Sequence, residues 1–149
     1  MIYISYFYQI RFFSNTIIPV STAIWDPKWY HDGKGQNHLF LDKNNVINGL
    51  RFSMLSPKGI YNVDTDCHKG CTQNPNTCSF MRKYGEWLNA LDFDDTIKLL
   101  NDLIDSIPVN YKFDICLMVH EAPDNKCSER VVLQQWFKNN GQELPEWTR

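Results

Sequence analysis

Residues 113–141, FDICLMVHEAPDNKCSERVVLQQWFKNNG, decide the fold. The apolar run at 115–119 does not alternate, which is typical of a central strand that is covered on both faces. Pro123 ends this strand, because proline has no N–H to donate to a neighbouring strand. After a cap at Asn125 or Ser128, apolar residues recur at helical spacing until Gly141. The stretch therefore predicts a strand, a tight turn and an amphipathic helix.

The turn of this unit is a candidate site. A helix that starts directly after a strand presents unpaired N–H groups and the positive end of its dipole, and both favour an anion. A thiol beside such a helix start and an arginine is expected to ionise readily. We predict Cys127 as a nucleophile, Arg130 as part of an anion clamp and Glu121 as a proton carrier. Lys126 and Ser128 are predicted to contact the ligand.

A structural interpretation of the same turn stays open. In it, Cys127 is a small buried apolar residue and Arg130 pairs with Glu129 or Glu143. Strand–turn–helix units are common, and most of them carry no catalysis.

The turn and its flanks carry a series of short motifs: an apolar strand, Glu-x-Pro at 121–123, Cys-Ser-Glu-Arg at 127–130, and Trp-Phe-x-x-x-Gly at 136–141. Residues 19–22 and the Asp-Pro-Lys-Trp-Tyr loop at 26–30 add to the pattern. In these motifs the chain resembles the domain of unknown function 488 family. The resemblance implies a small α/β fold and no established reaction.

One departure from the family affects the functional expectation. The family has a Cys-His-Arg triplet at the start of its last helix, whereas Ser128 and Glu129 stand in place of the histidine here. This loss favours a binding protein over an enzyme, because no histidine of the triplet remains to activate the thiol.

Length and composition indicate one globular domain over 1–149. The chain has 149 residues, 43% of them hydrophobic and 14% aromatic, which is enough for a substantial core. A net charge of −2 gives no support for nonspecific nucleic-acid binding, although a local basic patch is compatible with it. No apolar run is long enough to span a bilayer, and the start does not resemble a signal peptide. We therefore expect a cytoplasmic protein without a membrane partner.

The predicted element order indicates an α/β domain with a mostly parallel sheet flanked by helices. Strands are expected at 1–10 and 17–24, a less regular one within 46–55, and another at 114–120. Helices are expected at 79–91, from Asp94 or Asp95 to 107, and after the turn described above.

Ligands of such folds bind beyond the carboxyl ends of the strands. There the sequence brings Arg11, the 25–40 binding loop with Trp25, Trp29 and Tyr30, and the 121–130 turn. One pocket built from them suits a small anionic or nucleotide-like ligand, with Trp29 and Tyr30 stacking on a planar ring. Alternatively, the aromatic residues fix the loop to the core.

The cysteines predict a metal site. Their number is five, and without a secretion signal disulfides are not expected. Within the cysteine-rich loop at 62–79, Cys67, His68, Cys71 and Cys78 supply three thiolates and an imidazole, a set that suits tetrahedral zinc. The alternative is a group of partly buried cysteines without metal.

Two classes of function follow from this sequence. The first is an enzyme that acts on a nucleotide or nucleic-acid base through Cys127. The second is a non-catalytic ligand-binding or protein-interaction module with a structural zinc or cysteine cluster.

Overall fold

The computed structural model describes residues 1–60 and 74–149. Its β-strands are β1 (Ile2–Tyr6), β2 (Ile17–Ser21), β3 (Phe40–Leu41), β4 (Ile47–Asn48) and β5 (Asp114–Val119). Its α-helices are α1 (Ser79–Asn89), α2 (Phe93–Asp105) and α3 (Glu129–Asn139). The parallel sheet has the order β1-β5-β2, and β3 pairs with β4 in an antiparallel ribbon. The α/β class predicted from the sequence is confirmed.

The central strand, β5, is buried on both faces, as its apolar run predicts. Alternate residues of a strand point to opposite faces. Ile115, Leu117 and Val119 pack in one cluster with the three α-helices. Cys116 and Met118 pack in a second cluster. That second face is covered by the 3-10 helix Phe7–Phe12 and by loop residues, not by further α-helices.

Several elements have other boundaries than the sequence predicts. The first strand stops at Tyr6, because Phe7 and Ile10 are both buried at the three-residue spacing of a 3-10 helix. Within 46–55, only β4 is a strand, and a 3-10 helix follows at Ser53–Leu55. The cap of α2 is Asp92, whose carboxylate accepts a hydrogen bond from the Asp95 N–H, instead of Asp94 or Asp95.

Irregular segments cover both edges of the parallel sheet. The N–H of Ile4 donates to Pro145 O at 3.0 Å, and the Trp147 N–H donates to Ile4 O at 2.8 Å. At the other edge, the N–H of Ser21 donates to Leu50 O at 2.9 Å. An edge that is paired in this way offers fewer open N–H and C=O groups to other chains. The pairing also brings residues 51 and 146 next to the sheet.

Among residues 1–60 and 74–149, no helix is both long enough and apolar enough to cross a membrane.

Candidate functional site

A buried ionic network lies beyond the carboxyl end of β2. The side chain of Asp26 is only 2% exposed, and its Oδ2 lies 2.6 Å from Nε2 of His31. Its Oδ1 accepts hydrogen bonds from Nη1 of Arg51 at 2.5 Å and from the Ser21 hydroxyl. Arg51 also donates from Nη2 to Ala23 O at 2.7 Å. The Asp26 carboxylate thus holds three segments together.

Sequence reasoning did not find this network. The sequence did contain one indication of the network, because Asp26 and His31 flank the aromatic residues Trp29 and Tyr30 of the binding loop. The contribution of Arg51, from a segment 25 residues further along, depends on the pairing of that segment with the edge of β2.

Two members of the network, Asp26 and His31, lie before and at the end of the 3-10 helix Lys28–His31, which contains Trp29 and Tyr30. Tyr30 is fully buried, and its hydroxyl lies 2.7 Å from Leu50 O and 3.0 Å from Pro19 O. Burial raises the pKa of Tyr30, and the Asp26 carboxylate raises it further. Tyr30 therefore packs in the core, which corrects the prediction that it stacks on a ligand. The side chain of Trp29 remains half-exposed.

A second buried ion pair lies at the β5–α3 turn. Arg130 is 3% exposed and donates from Nε to Glu146 Oε1 at 2.5 Å. Its Nη1 donates to the backbone oxygen of Glu121, also at 2.5 Å. Burial raises the pKa of Glu146 even though the Arg130 guanidinium opposes that shift. Arg130 is thus paired as the structural interpretation expected, but with Glu146 instead of Glu129 or Glu143.

Buried acidic groups surround the same turn. Glu129 is 6% exposed, and within the described residues its Oε2, the Oε2 of Glu121 and the Oγ of Ser128 have no hydrogen-bond partner. Burial raises the pKa of Glu129 well above its usual value, and the Glu121 carboxylate adds to the shift. The guanidinium groups of Arg130 and Arg51 act in the opposite direction. The turn therefore contains a buried carboxyl group that binds its proton tightly.

We expect Glu129 to make the protein less stable as pH rises. The pKa of Glu129 is higher in the folded protein than in the unfolded chain, so folding is coupled to proton uptake at pH values above the ordinary glutamate pKa. The stabilisation that this uptake gives is lost as pH rises through the pKa of the folded state. Glu129→Gln should flatten this dependence and increase stability in alkaline solution. Urea unfolding of both proteins from pH 5 to 9 tests this, with Glu86→Gln as an exposed control. Identical slopes for wild type and Glu129→Gln would contradict it.

Cys127 is half-buried and packs against the helical core cluster. Its N–H donates to Asn125 Oδ1 at 3.0 Å, and Ser128 occupies the N-cap position of α3 without a capping hydrogen bond from its side chain. His120, the nearest histidine in the sequence, packs at 4.9 Å against the ring of Phe7, which belongs to the cluster on the other face of the sheet. The His120 ring lies 4.0 Å from that of Trp25, and its Nε2 is 2.6 Å from Trp25 O. The roles predicted for Cys127 and for exposed Lys126 stay predictions.

Arg11 and Trp29 both line an open cleft of about 780 Å³. The residues that line it come from the 3-10 helix after β1, the binding loop and the β3–β4 ribbon: Phe7, Tyr8, Ile10, Arg11, Trp29, Asp32, Phe40, Leu41, Asp42, Lys43 and Asn44. Glu121, Cys127 and Arg130 are not among them. The single pocket expected from the sequence is therefore divided between this cleft and the β5–α3 turn.

Three of the four predicted zinc ligands, Cys67, His68 and Cys71, lie outside the described residues. Cys78 lies within them, at the N-cap of α1, and is 2% exposed. Zinc binding stays a prediction. We expect about one equivalent of zinc in the purified protein and a lower melting temperature after chelation, because structural metal binding is coupled to folding.

Comparison of the chain with family models, with curated proteins and with solved structures finds no match.

Proposed function

We propose that this protein binds a nucleotide-like ligand, a planar ring that bears a phosphate, in the cleft lined by Arg11 and Trp29. One observation carries the proposal. A guanidinium and a half-exposed indole, from segments that follow two different strands, line the same cleft. Its volume of about 780 Å³ falls within the range of small-molecule sites.

The polar groups of the cleft suit a phosphate. The Arg11 guanidinium lies 3.7 Å from the centre of the Tyr8 ring, and its Nε donates to Tyr8 O at 3.1 Å. In the part of the chain that the structure describes, neither the terminal nitrogens of Arg11 nor the Lys43 ammonium has a hydrogen-bond or ion-pair partner. Guanidinium groups bind phosphate oxygens in pairs of parallel hydrogen bonds. The stacking on Tyr8 orders Arg11 for that contact.

The aromatic groups suit the ring. Trp29 is 49% exposed, and its indole contacts the buried ring of Phe7 edge to face at 6.3 Å. A half-exposed indole that is held by a contact with a buried ring suits stacking with a planar base. A protein that only binds such a ligand needs no catalytic step.

Membership of the domain of unknown function 488 family is part of the proposal. It is supported by the motifs at 121–123 and 127–130 and by the small α/β fold. A cytoplasmic location is also part of it.

A second candidate function is chemistry that depends on Cys127 at the β5–α3 turn. The observation that favours it is a set of buried side-chain oxygens in the same turn, on Glu121, Ser128 and Glu129, that have no hydrogen-bond partner among the described residues. Such groups exchange protons with a nucleophile during a reaction. Turnover of a nucleotide by wild type but not by Cys127→Ala would support this function over binding alone.

Thermal-shift and calorimetric titrations with nucleoside monophosphates test the binding proposal. We expect stabilisation by monophosphates, less by the corresponding nucleosides, and a loss of affinity of about tenfold or more in Trp29→Ala and in Arg11→Gln. Tyr111→Ala and Arg82→Gln are matched controls, since both residues are exposed and neither lines the cleft. No stabilisation by any nucleotide, or equal losses in the controls, would contradict the proposal.

A further inference from the structure

Exposed apolar side chains lie in the cleft and in the loop region that contributes to it. Tyr8 is 51% exposed, Trp29 49% and Leu41 61%, and all three line the cleft. Trp25 and Leu39, from the same loop region, are exposed to 51% and 43%. Large apolar side chains that are exposed together, in contrast to single ones, mark surfaces that bind a partner. We call the three aromatic residues among them, Tyr8, Trp25 and Trp29, the aromatic surface.

Positive charge accompanies the aromatic surface. Arg11 and Lys43 line the cleft, and Lys28 and Lys34 are exposed on the adjoining loop. Of the nearby acidic residues, Asp26 is neutralised by Arg51. The surface is therefore locally basic, although the whole chain has a net charge of −2.

Two acidic groups, Asp32 and Asp42, also line the cleft, where they balance Arg11 and Lys43. The Asp42 carboxylate accepts hydrogen bonds from the N–H groups of Asn44 and Val46, which hold it in place but leave its charge. The excess of positive charge therefore comes from Lys28 and Lys34 on the adjoining loop.

We infer that the cleft and the aromatic surface bind a single-stranded nucleic acid. Stacked bases and a backbone that follows a basic groove are the two features by which proteins hold unpaired strands. A duplex fits less well, because its bases are already stacked and its recognition needs a more strongly basic face. The inference rests on the proposed function, since one base and its phosphate occupy the Trp29–Arg11 cleft. It adds that neighbouring nucleotides continue along the aromatic surface.

Fluorescence anisotropy with a labelled oligothymidylate of about eight nucleotides tests the inference. We expect its dissociation constant to be at least tenfold lower than the inhibition constant of thymidine monophosphate measured by competition. It should also be lower than the dissociation constant of a duplex of equal length. Affinity should fall with salt, with a slope in log–log form of about −0.7 for each cation that contacts a phosphate. Trp29→Ala should lower the affinity about tenfold or more. Lys43→Gln should reduce the salt slope by about 0.7.

The controls separate this inference from the small-ligand proposal. Tyr111→Ala and Lys98→Gln change an exposed aromatic residue and an exposed lysine away from the cleft, and both should bind as wild type does. Binding of monophosphates but no tighter binding of the oligonucleotide would overturn the inference and leave the small-ligand proposal standing. Oligonucleotide binding that neither Trp29→Ala nor Lys43→Gln changes would also overturn it. Failure of every monophosphate, with oligonucleotide binding intact, would overturn only the small-ligand proposal.

Discussion

Asp26→Ala is expected to lower the free energy of unfolding by about 3–5 kcal/mol. The substitution removes the carboxylate that pairs with Arg51 and His31, whose side chains are only 8% and 5% exposed. A guanidinium that stays buried without its counter-ion costs far more free energy than an ordinary surface contact contributes. Urea unfolding monitored by tryptophan fluorescence measures the loss directly.

Asp32→Asn is the control for Asp26→Ala. Asp32 belongs to the same loop but is exposed, and asparagine tolerates its backbone φ of +54°, so loss of this carboxylate should change stability by no more than about 0.5 kcal/mol. Adding Arg51→Met to Asp26→Ala should restore part of the loss, because an apolar side chain then replaces an unpaired charge. A cost below about 1 kcal/mol for Asp26→Ala would show that the network contributes little to folding.

Arg130→Gln is expected to cost less than Asp26→Ala, about 1.5–3 kcal/mol, because the remaining carboxylate is only partly buried. The change leaves the carboxylate of Glu146, whose side chain is 20% exposed, without the guanidinium that holds it at 2.5 Å. It also removes the donor to the backbone oxygen of Glu121 and so loosens the tail that pairs with β1. Guanidinium chloride and thermal unfolding of the two proteins provide the measurement.

The same variant decides between the two roles considered for Arg130. Arg82→Gln is its control. Arg82 forms an exposed ion pair with Glu86 within α1, and such a pair contributes about 0.3–0.5 kcal/mol. If Arg130→Gln keeps the stability of wild type and loses stabilisation by nucleotides, then Arg130 binds the ligand anion. A large loss of stability without ligand supports the structural role that its buried contacts indicate.

Local patterns in the sequence were sufficient for the fold class. The unbroken apolar run at 115–119 specified a strand buried on both faces, and β5 is the central strand. Helical spacing of apolar residues specified the three α-helices to within a few residues, because a helix and the face that it buries depend on neighbours three and four positions apart. Arg11 and Trp29 line one cleft, whereas Glu121, Cys127 and Arg130, which the sequence placed in the same pocket, do not line it.

The pairing of charged residues was decided by the tertiary structure. The arginine that pairs with Asp26 and the glutamate that pairs with Arg130 are 25 and 16 residues away from them, and each lies in an irregular segment that pairs with a sheet edge. Such a segment has no periodic pattern that reveals its position. The burial of Tyr30 likewise depends on contacts with Pro19 and Leu50 that only the folded sheet brings together. The sequence by itself thus determined which elements form and which faces they bury, since these follow from local spacing. Only the folded chain determined which charges are neutralised and which stay open to a ligand, since that depends on contacts between distant segments.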